Sequence, residues 1–286
     1  MKVITPQQKV DSTMVRTHAL LQIAKSIHSV RGASAQGIHY SEPNIDLAAI
    51  QNKLMQFESQ YCKSNQACLN SKSSLIKTTE KKHANNSLKS VTNKYIWHYE
   101  EAIALPFIPK KLAIVGAGIN AIEIATIYQA LGATVDIIIA GDEVFPGLDK
   151  DINKTFQRYI KRLFKIKPQA EITAFNFTDH QVQLSIISKN KTLPDTCYDA
   201  VFIADDKCSQ DDLLTQPFMA TSFPAVTWLG WTEKQLANNE LNYKVISIPW
   251  RSLGRANTDV NTNGLTKLIF NTDNHTLIGG GMMGNN

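Results

Sequence analysis

Six consecutive residues, Gly116-Ala117-Gly118-Ile119-Asn120-Ala121, carry the clearest chemical signal in the chain. They match the G-x-G-x-x-G/A spacing that lets a peptide backbone approach a pyrophosphate. Gly116 suits a tight turn, Gly118 removes the Cβ that would hold a phosphate away, and Ala121 lets a helix pack close to a sheet. The spacing has meaning only between a strand and a helix. Leu112 to Val115 is a short apolar run of the kind buried on both faces of a parallel sheet. Downstream, Ile122, Ala125, Ile127 and Leu131 supply the apolar contacts of a helix, with Gly132 in C-cap position. Val135 to Ile139 then reads as a second parallel strand. A pyrophosphate would lie on the helix N-terminus, where N–H groups and the dipole favour negative charge. The alternative is a glycine-rich turn in an ordinary α/β unit.

The other half of a dinucleotide site is missing. A carboxylate is expected about 20 residues beyond the glycines, at the end of the second strand, to hold the ribose hydroxyls. That strand ends Ile137-Ile138-Ile139-Ala140, and Ile139 accepts no hydrogen bond. Asp136 lies inside the strand and Asp142 beyond it, so either would need a register shift to serve. The fold signal is intact, and NAD binding is expected to be weak or lost.

No other residue set makes a strong case for chemistry. Cys62 and Cys68 form a C-x5-C pair with no second pair to complete a metal site and no helix start to lower a thiol pKa. With Cys197 and Cys208 they are too few and too irregular for a disulfide scaffold, and are expected to be reduced. His18 and His275 fall at ordinary helix and turn positions. The composition, 43% hydrophobic and 19% charged, is that of a soluble protein with room for about two domains. The net charge of +5 is spread along the chain and reads as solvated surface, not a nucleic-acid patch. No apolar run reaches the roughly 18 residues of a membrane span, and Met1 to Val10 lacks a signal-peptide core. The expected location is cytoplasmic, with no membrane partner.

The elements that must position the glycine turn follow from periodicity. Residues 1 to 13 are expected to be a loose terminus, followed by amphipathic helices over Met14 to Val30 and Ile45 to Phe57. Ser59 to Lys94 is polar and reads as a linker or disordered loop. After the glycine unit come a turn at Phe145-Pro146-Gly147 and a helix over Asp149 to Lys165. Hairpin strands are expected over Glu171 to Ile187, and a buried strand over Tyr198 to Ala204. Ala225 to Leu229, Lys244 to Ile248 and Leu265 to Phe270 read as antiparallel strands, with a helix over Thr232 to Asn239. A further strand begins at Ile278.

Four stretches resemble the dihydrolipoamide dehydrogenase branch of the pyridine nucleotide-disulfide oxidoreductase family. They are Ile108-Pro109-Lys110-Lys111-Leu112 through Leu131-Gly132; Phe145 to Asp151; Trp228 to Lys234 with Pro249-Trp250 and Gly254-Arg255-Ala256; and Gly264 with Lys267 to Phe270 and Gly279-Gly280. The resemblance implies an α/β fold: a Rossmann-like NAD-binding domain over 95–214, helical remnants of a flavin domain over 1–58, a polar linker over 59–94 and a partial α+β interface (dimerisation) domain over 215–286. It implies homo-oligomers and, as cofactors, NAD and FAD. Glu123 matches a family nucleotide-contact position on the nicotinamide side, and equally suits an exposed first-turn carboxylate.

The same resemblance marks what this chain lacks. Only Met1 to Gln8 precede the matching region, too few for the flavin-binding βαβ unit of about 30 residues. The family's redox cysteines fall on Lys9 and Met14, and the Gly-Arg expected after Ala204 reads Asp206-Lys207. Between Asp211 and Phe223 a segment bearing a second flavin contact is expected to be deleted, and the acid-base histidine and its glutamate would lie beyond Asn286. A truncated, internally deleted and catalytically inert relative is expected. The alternative is a flavin-dependent dihydrolipoyl dehydrogenase.

Overall fold

The computed structural model describes residues 12–64, 93–204, 217–254 and 263–284, together with Leu214. The expectations for the terminus before Ser12, most of the polar stretch, Asp206-Lys207, Arg255-Ala256, Cys68 and Cys208 lie outside the described residues. Helices α1 (Ser12–Gly32) and α2 (Leu47–Ser64) form where apolar spacing places them. Leu20, Leu21 and Ile27 of α1 and Leu54 of α2 join one buried cluster. Helix α2 runs to Ser64, into the stretch expected to be a linker from Ser59. Arg16 explains the extension: Nε and Nη2 grip both oxygens of Glu58 at 2.6 and 2.7 Å, anchoring the helix past Phe57.

The order continues with β1 (Ile96–Trp97), α3 (Tyr99–Ile103), β2 (Lys111–Val115), α4 (Ile119–Ala130), β3 (Thr134–Ile138), α5 (Lys150–Ile160) and β4 (Lys165–Lys167). Next come β5 (Ala170–Phe177), β6 (Val182–Ser188), β7 (Lys191–Thr192), β8 (Thr196–Tyr198) and β9 (Ala200–Ile203). The last unit holds β10 (Phe218–Ala220), β11 (Ala225–Gly230), α6 (Glu233–Asn238), β12 (Tyr243–Pro249), β13 (Leu265–Asn271) and β14 (Leu277–Gly284).

Three sheets result. The first is wholly parallel, in the order β1-β9-β2-β3-β4, with Ala113 registered between Asp136 and Val201. Its central strands are apolar on both faces because helices cover one side and the β5–β6 hairpin the other. The buried strand expected over Tyr198 to Ala204 is two strands in two sheets. Asp199 separates them: its carboxylate accepts from the Lys111 amide at 2.8 Å and from Gln181 Nε2 at 3.0 Å. Strand β8 therefore joins β6, and β9 enters the parallel sheet. The helix expected to reach Lys165 ends at Ile160, whose carbonyl accepts from both Leu163 and Phe164. That tight turn buries Phe164 and frees Lys165 to Lys167 to pair with β3.

The third sheet is antiparallel, ordered β10-β11-β14-β13-β12. Strand β14 fills its middle, and glycine is what lets it fit. A Cβ on Gly279 would run into the Trp231 carbonyl, and one on Gly281 into that of Thr227. This sheet packs on the parallel unit through Phe218, whose ring meets Phe145 edge-on at 4.9 Å. Beside that contact lies a buried charge. Lys267, fully buried on β13, donates to both oxygens of Asp149 at 2.9 and 3.1 Å, to Asp151 at 2.7 Å, and to Glu233. Asp149 is itself the N-cap of α5.

Burial alone would lower the lysine pKa, but the hydrogen bonds Lys267 donates to Asp151, Glu233 and Asp149 outweigh it and hold the pKa above its ordinary value. A raised lysine pKa contributes stability that is complete below the unfolded value and is lost as pH rises through the folded one. The lysine's contribution is therefore complete at neutral pH and fades in strongly alkaline solution. Replacing Lys267 with Met leaves Asp149 buried without its cation, and is expected to cost about 3–5 kcal/mol in urea unfolding.

Candidate functional site: a glycine turn at a helix N-terminus

Strand β2 delivers the chain into the glycine turn as its sequence context requires. Gly116 adopts φ +144°, where a side chain would be strained, and its N–H donates to the Ile138 carbonyl at 3.0 Å. Gly118, at φ −99° and ψ −162°, is the N-cap of α4, and no side chain caps the helix from that position. Ala121 is completely buried against the sheet, as the third fingerprint position requires. The first turn of α4 contains no acidic residue, in keeping with an N-terminal end where the helix dipole favours negative charge. Gly116, Ala117, Gly118, Ile119, Asn120 and Ala121 thus come together as a backbone cradle of the type that fits a pyrophosphate. Phe145 sits over this turn; its amide donates to the Ala117 carbonyl at 2.7 Å.

The ribose end does not fit in the same way. Ile139 is fully buried, with its amide bonded to Lys167 and its carbonyl to Ala170. Asp136, also buried, accepts from the Tyr198 hydroxyl at 2.7 Å and pairs with Lys167 at 3.1 Å. Burial first, and then the Asp136 carboxylate, push the Tyr198 phenol well above its usual range, so it stays protonated and donates to Asp136. Asp142 accepts from Gln169 Nε2 at 2.6 Å. Both carboxylates near the strand end already have structural partners.

Glu123 departs from the exposed carboxylate that its sequence position suggests. It is only 8% exposed, and its Oε1 accepts from the Thr221 amide at 2.8 Å. The partner is nearly a hundred residues away, beyond the reach of local patterning. Gly132 follows the C-cap residue Leu131 and takes φ +108°, one position later than its expected C-cap role. His18 and His275 are exposed, Cys197 is free and exposed, and among the described residues no three His, Cys, Asp or Glu side chains form a metal site. Lys267 is the residue that sequence reasoning undervalued. The available signal was its place in the inward-facing row Leu265, Lys267, Ile269.

A parallel sheet with a glycine turn at a helix N-terminus, joined to an antiparallel sheet, defines a dinucleotide-fold protein carrying a second, interface-type domain. The chain belongs to the pyridine nucleotide-disulphide oxidoreductase family, as its motifs suggested: residues 111–190 match that family's model and residues 217–286 match the model of its dimerisation domain. Similar sequences include dihydrolipoyl dehydrogenase of Haemophilus influenzae, 26% identical over 95% of this chain and 77% of the relative. The human mitochondrial dihydrolipoyl dehydrogenase is 23% identical over 64% of this chain and 50% of its own length. The Haemophilus alignment spans 369 residues, more than the 286 of this chain, so that relative carries internal segments with no counterpart here.

Among solved structures, LpdA from Mycobacterium tuberculosis superposes with a TM-score of 0.75 at 14% identity, covering 94% of this chain and 80% of LpdA. The HOCl-induced flavoprotein disulfide reductase RclA from Escherichia coli gives 0.71 at 14% identity, covering 95% and 80%. These two likenesses show the fold. No helix among the described residues is long and apolar enough to cross a membrane.

Glu123→Ala removes a charge-assisted hydrogen bond to the half-buried Thr221 amide. It is expected to destabilise the protein by about 1.5–3 kcal/mol while leaving NADH affinity unchanged, which urea unfolding and a fluorescence titration together check.

Proposed function

We propose that this chain is a dihydrolipoamide dehydrogenase-like pseudoenzyme: a dinucleotide-binding framework that does not itself carry electrons from a dithiol to NAD. The observation that carries this reading is chemical. Where the family motif would place two redox cysteines, this sequence has Lys9 and Met14, and neither side chain can enter a disulfide. A hydride leaving NADH would need an acceptor held in the same protein. Among the described residues the helices α1 and α2 pack directly on the parallel unit. Arg31 Nη1 donates to the Ala130 carbonyl at 2.9 Å, and Thr17 shares a hydrogen bond with Tyr99.

The cradle from Gly116 to Ala121 is the proposed dinucleotide site, acting through backbone N–H groups and the α4 dipole. With the ribose carboxylate absent and Glu123 directed at Thr221, NAD affinity is low. On this reading residues 1–58 are the remnant of a flavin domain, 59–94 a linker, 95–214 the NAD-type domain and 215–286 the interface domain. The protein works in the cytoplasm and associates with a second copy of itself. The outer face of the antiparallel sheet supports that association: Met219, Leu229 and Met282 are exposed on the adjacent strands β10, β11 and β14, and Ile246 is exposed on the edge strand β12.

The purified chain is expected to be colourless, to quench NADH fluorescence weakly or not at all, and to show no NADH-dependent reduction of lipoamide. Tightly bound flavin with lipoamide turnover would establish the alternative, a working dihydrolipoyl dehydrogenase. Met282→Lys, combined with Leu229→Lys, is expected to shift sedimentation velocity profiles toward monomer without unfolding the protein.

A further inference from the structure

Five arginines fall within the described residues. Arg16 is paired with Glu58 and Arg31 with Glu42. The other three converge on one cleft. Arg158 lies on the last turn of α5, Arg162 in the turn that follows it, and Arg251 in the short helical turn after β12, so the two modules each contribute to one wall. Among the described residues none of these three guanidinium groups has an ion pair or a side-chain hydrogen bond. Among the described residues no carboxylate lines the cleft, and its other polar groups are Thr155, Tyr159 and Asn263. Three like charges lining one cleft repel one another, and a bound anion would relieve that repulsion. Guanidinium groups offer paired N–H donors in a planar fork, the geometry that suits phosphate oxygens. The cleft volume of about 220 Å³ lies below the range of about 300–1,000 Å³ typical of pockets for larger organic ligands. It has room for an oxyanion.

We infer that this cleft binds a phosphate group, held between Arg158 and Arg162 of the dinucleotide-type domain and Arg251 of the interface domain. The inference is independent of NAD binding, because none of its residues belongs to the glycine turn. An anion there would bridge the two domains and stabilise the folded state in proportion to its occupancy.

The test is a thermal-shift and calorimetric titration of the full chain with inorganic phosphate and with the phosphomonoester ribose 5-phosphate, at constant ionic strength set with chloride. The expected result is saturable binding that raises the melting temperature. Equal affinity for the two probes would assign free phosphate, and tighter binding of the ester a phosphorylated metabolite. Arg251→Gln and Arg162→Gln are each expected to weaken binding roughly tenfold, the effect of one lost charge-assisted contact. Lys154→Gln removes the same charge from an exposed position of α5 outside the cleft, and is expected to leave affinity within about twofold. Absence of saturable binding, or equal weakening by Lys154→Gln and Arg251→Gln, would overturn the inference.

Discussion

One ammonium group holds this protein's two halves in register. Lys267 projects from the antiparallel sheet into the start of α5 and is enclosed there with Asp149, the residue that caps that helix. A buried charge of this kind is costly unless every partner is in place, so it tolerates few alternative packings. The position of α5 against the sheet follows, with Ile152, Phe156 and Ile160 turned into the shared core. So does the placement of Phe145, whose ring bridges Phe156 and Phe218 and whose amide anchors the glycine turn. The glycine turn is thus shaped partly by a lysine in another domain.

The contrast between the two ends of that cradle frames its chemistry. Backbone geometry at Gly116 and Gly118 suits a pyrophosphate, whereas the side chains that would hold a ribose have been drawn into structural roles. Asp136 has become one corner of a buried triangle with Tyr198 and Lys167. Glu123 serves as an acceptor for a backbone amide of the interface domain. Such assignments commit both carboxylates to the cohesion of the fold.

Local information in the sequence was enough for most of the framework. The β2–turn–α4–β3 unit, the hairpin, and four strands of the antiparallel sheet are legible because short-range periodicity reports which face is buried. The errors arise where a distant side chain decides. Helix α2 outlasts its apolar pattern because Arg16 reaches across from another helix to Glu58. The strand after Cys197 divides because Asp199 must satisfy Lys111 and Gln181 at once. For the site, the glycine spacing was readable because it acts through backbone, while the roles of Glu123 and Lys267 depend on partners that no local pattern reveals.

The strand order of the antiparallel sheet has a temporal side. Strand β11 does not pair with β12, the next strand in the chain; it pairs with β10 and β14, with β14 lying between it and β13. Closing that arrangement requires a long loop to be ordered before its hydrogen bonds are gained, which makes assembly slow relative to a simple succession of hairpins. During that interval one edge of β11 lies bare, and Trp228, later sealed at the centre, is open to passing chaperones and proteases.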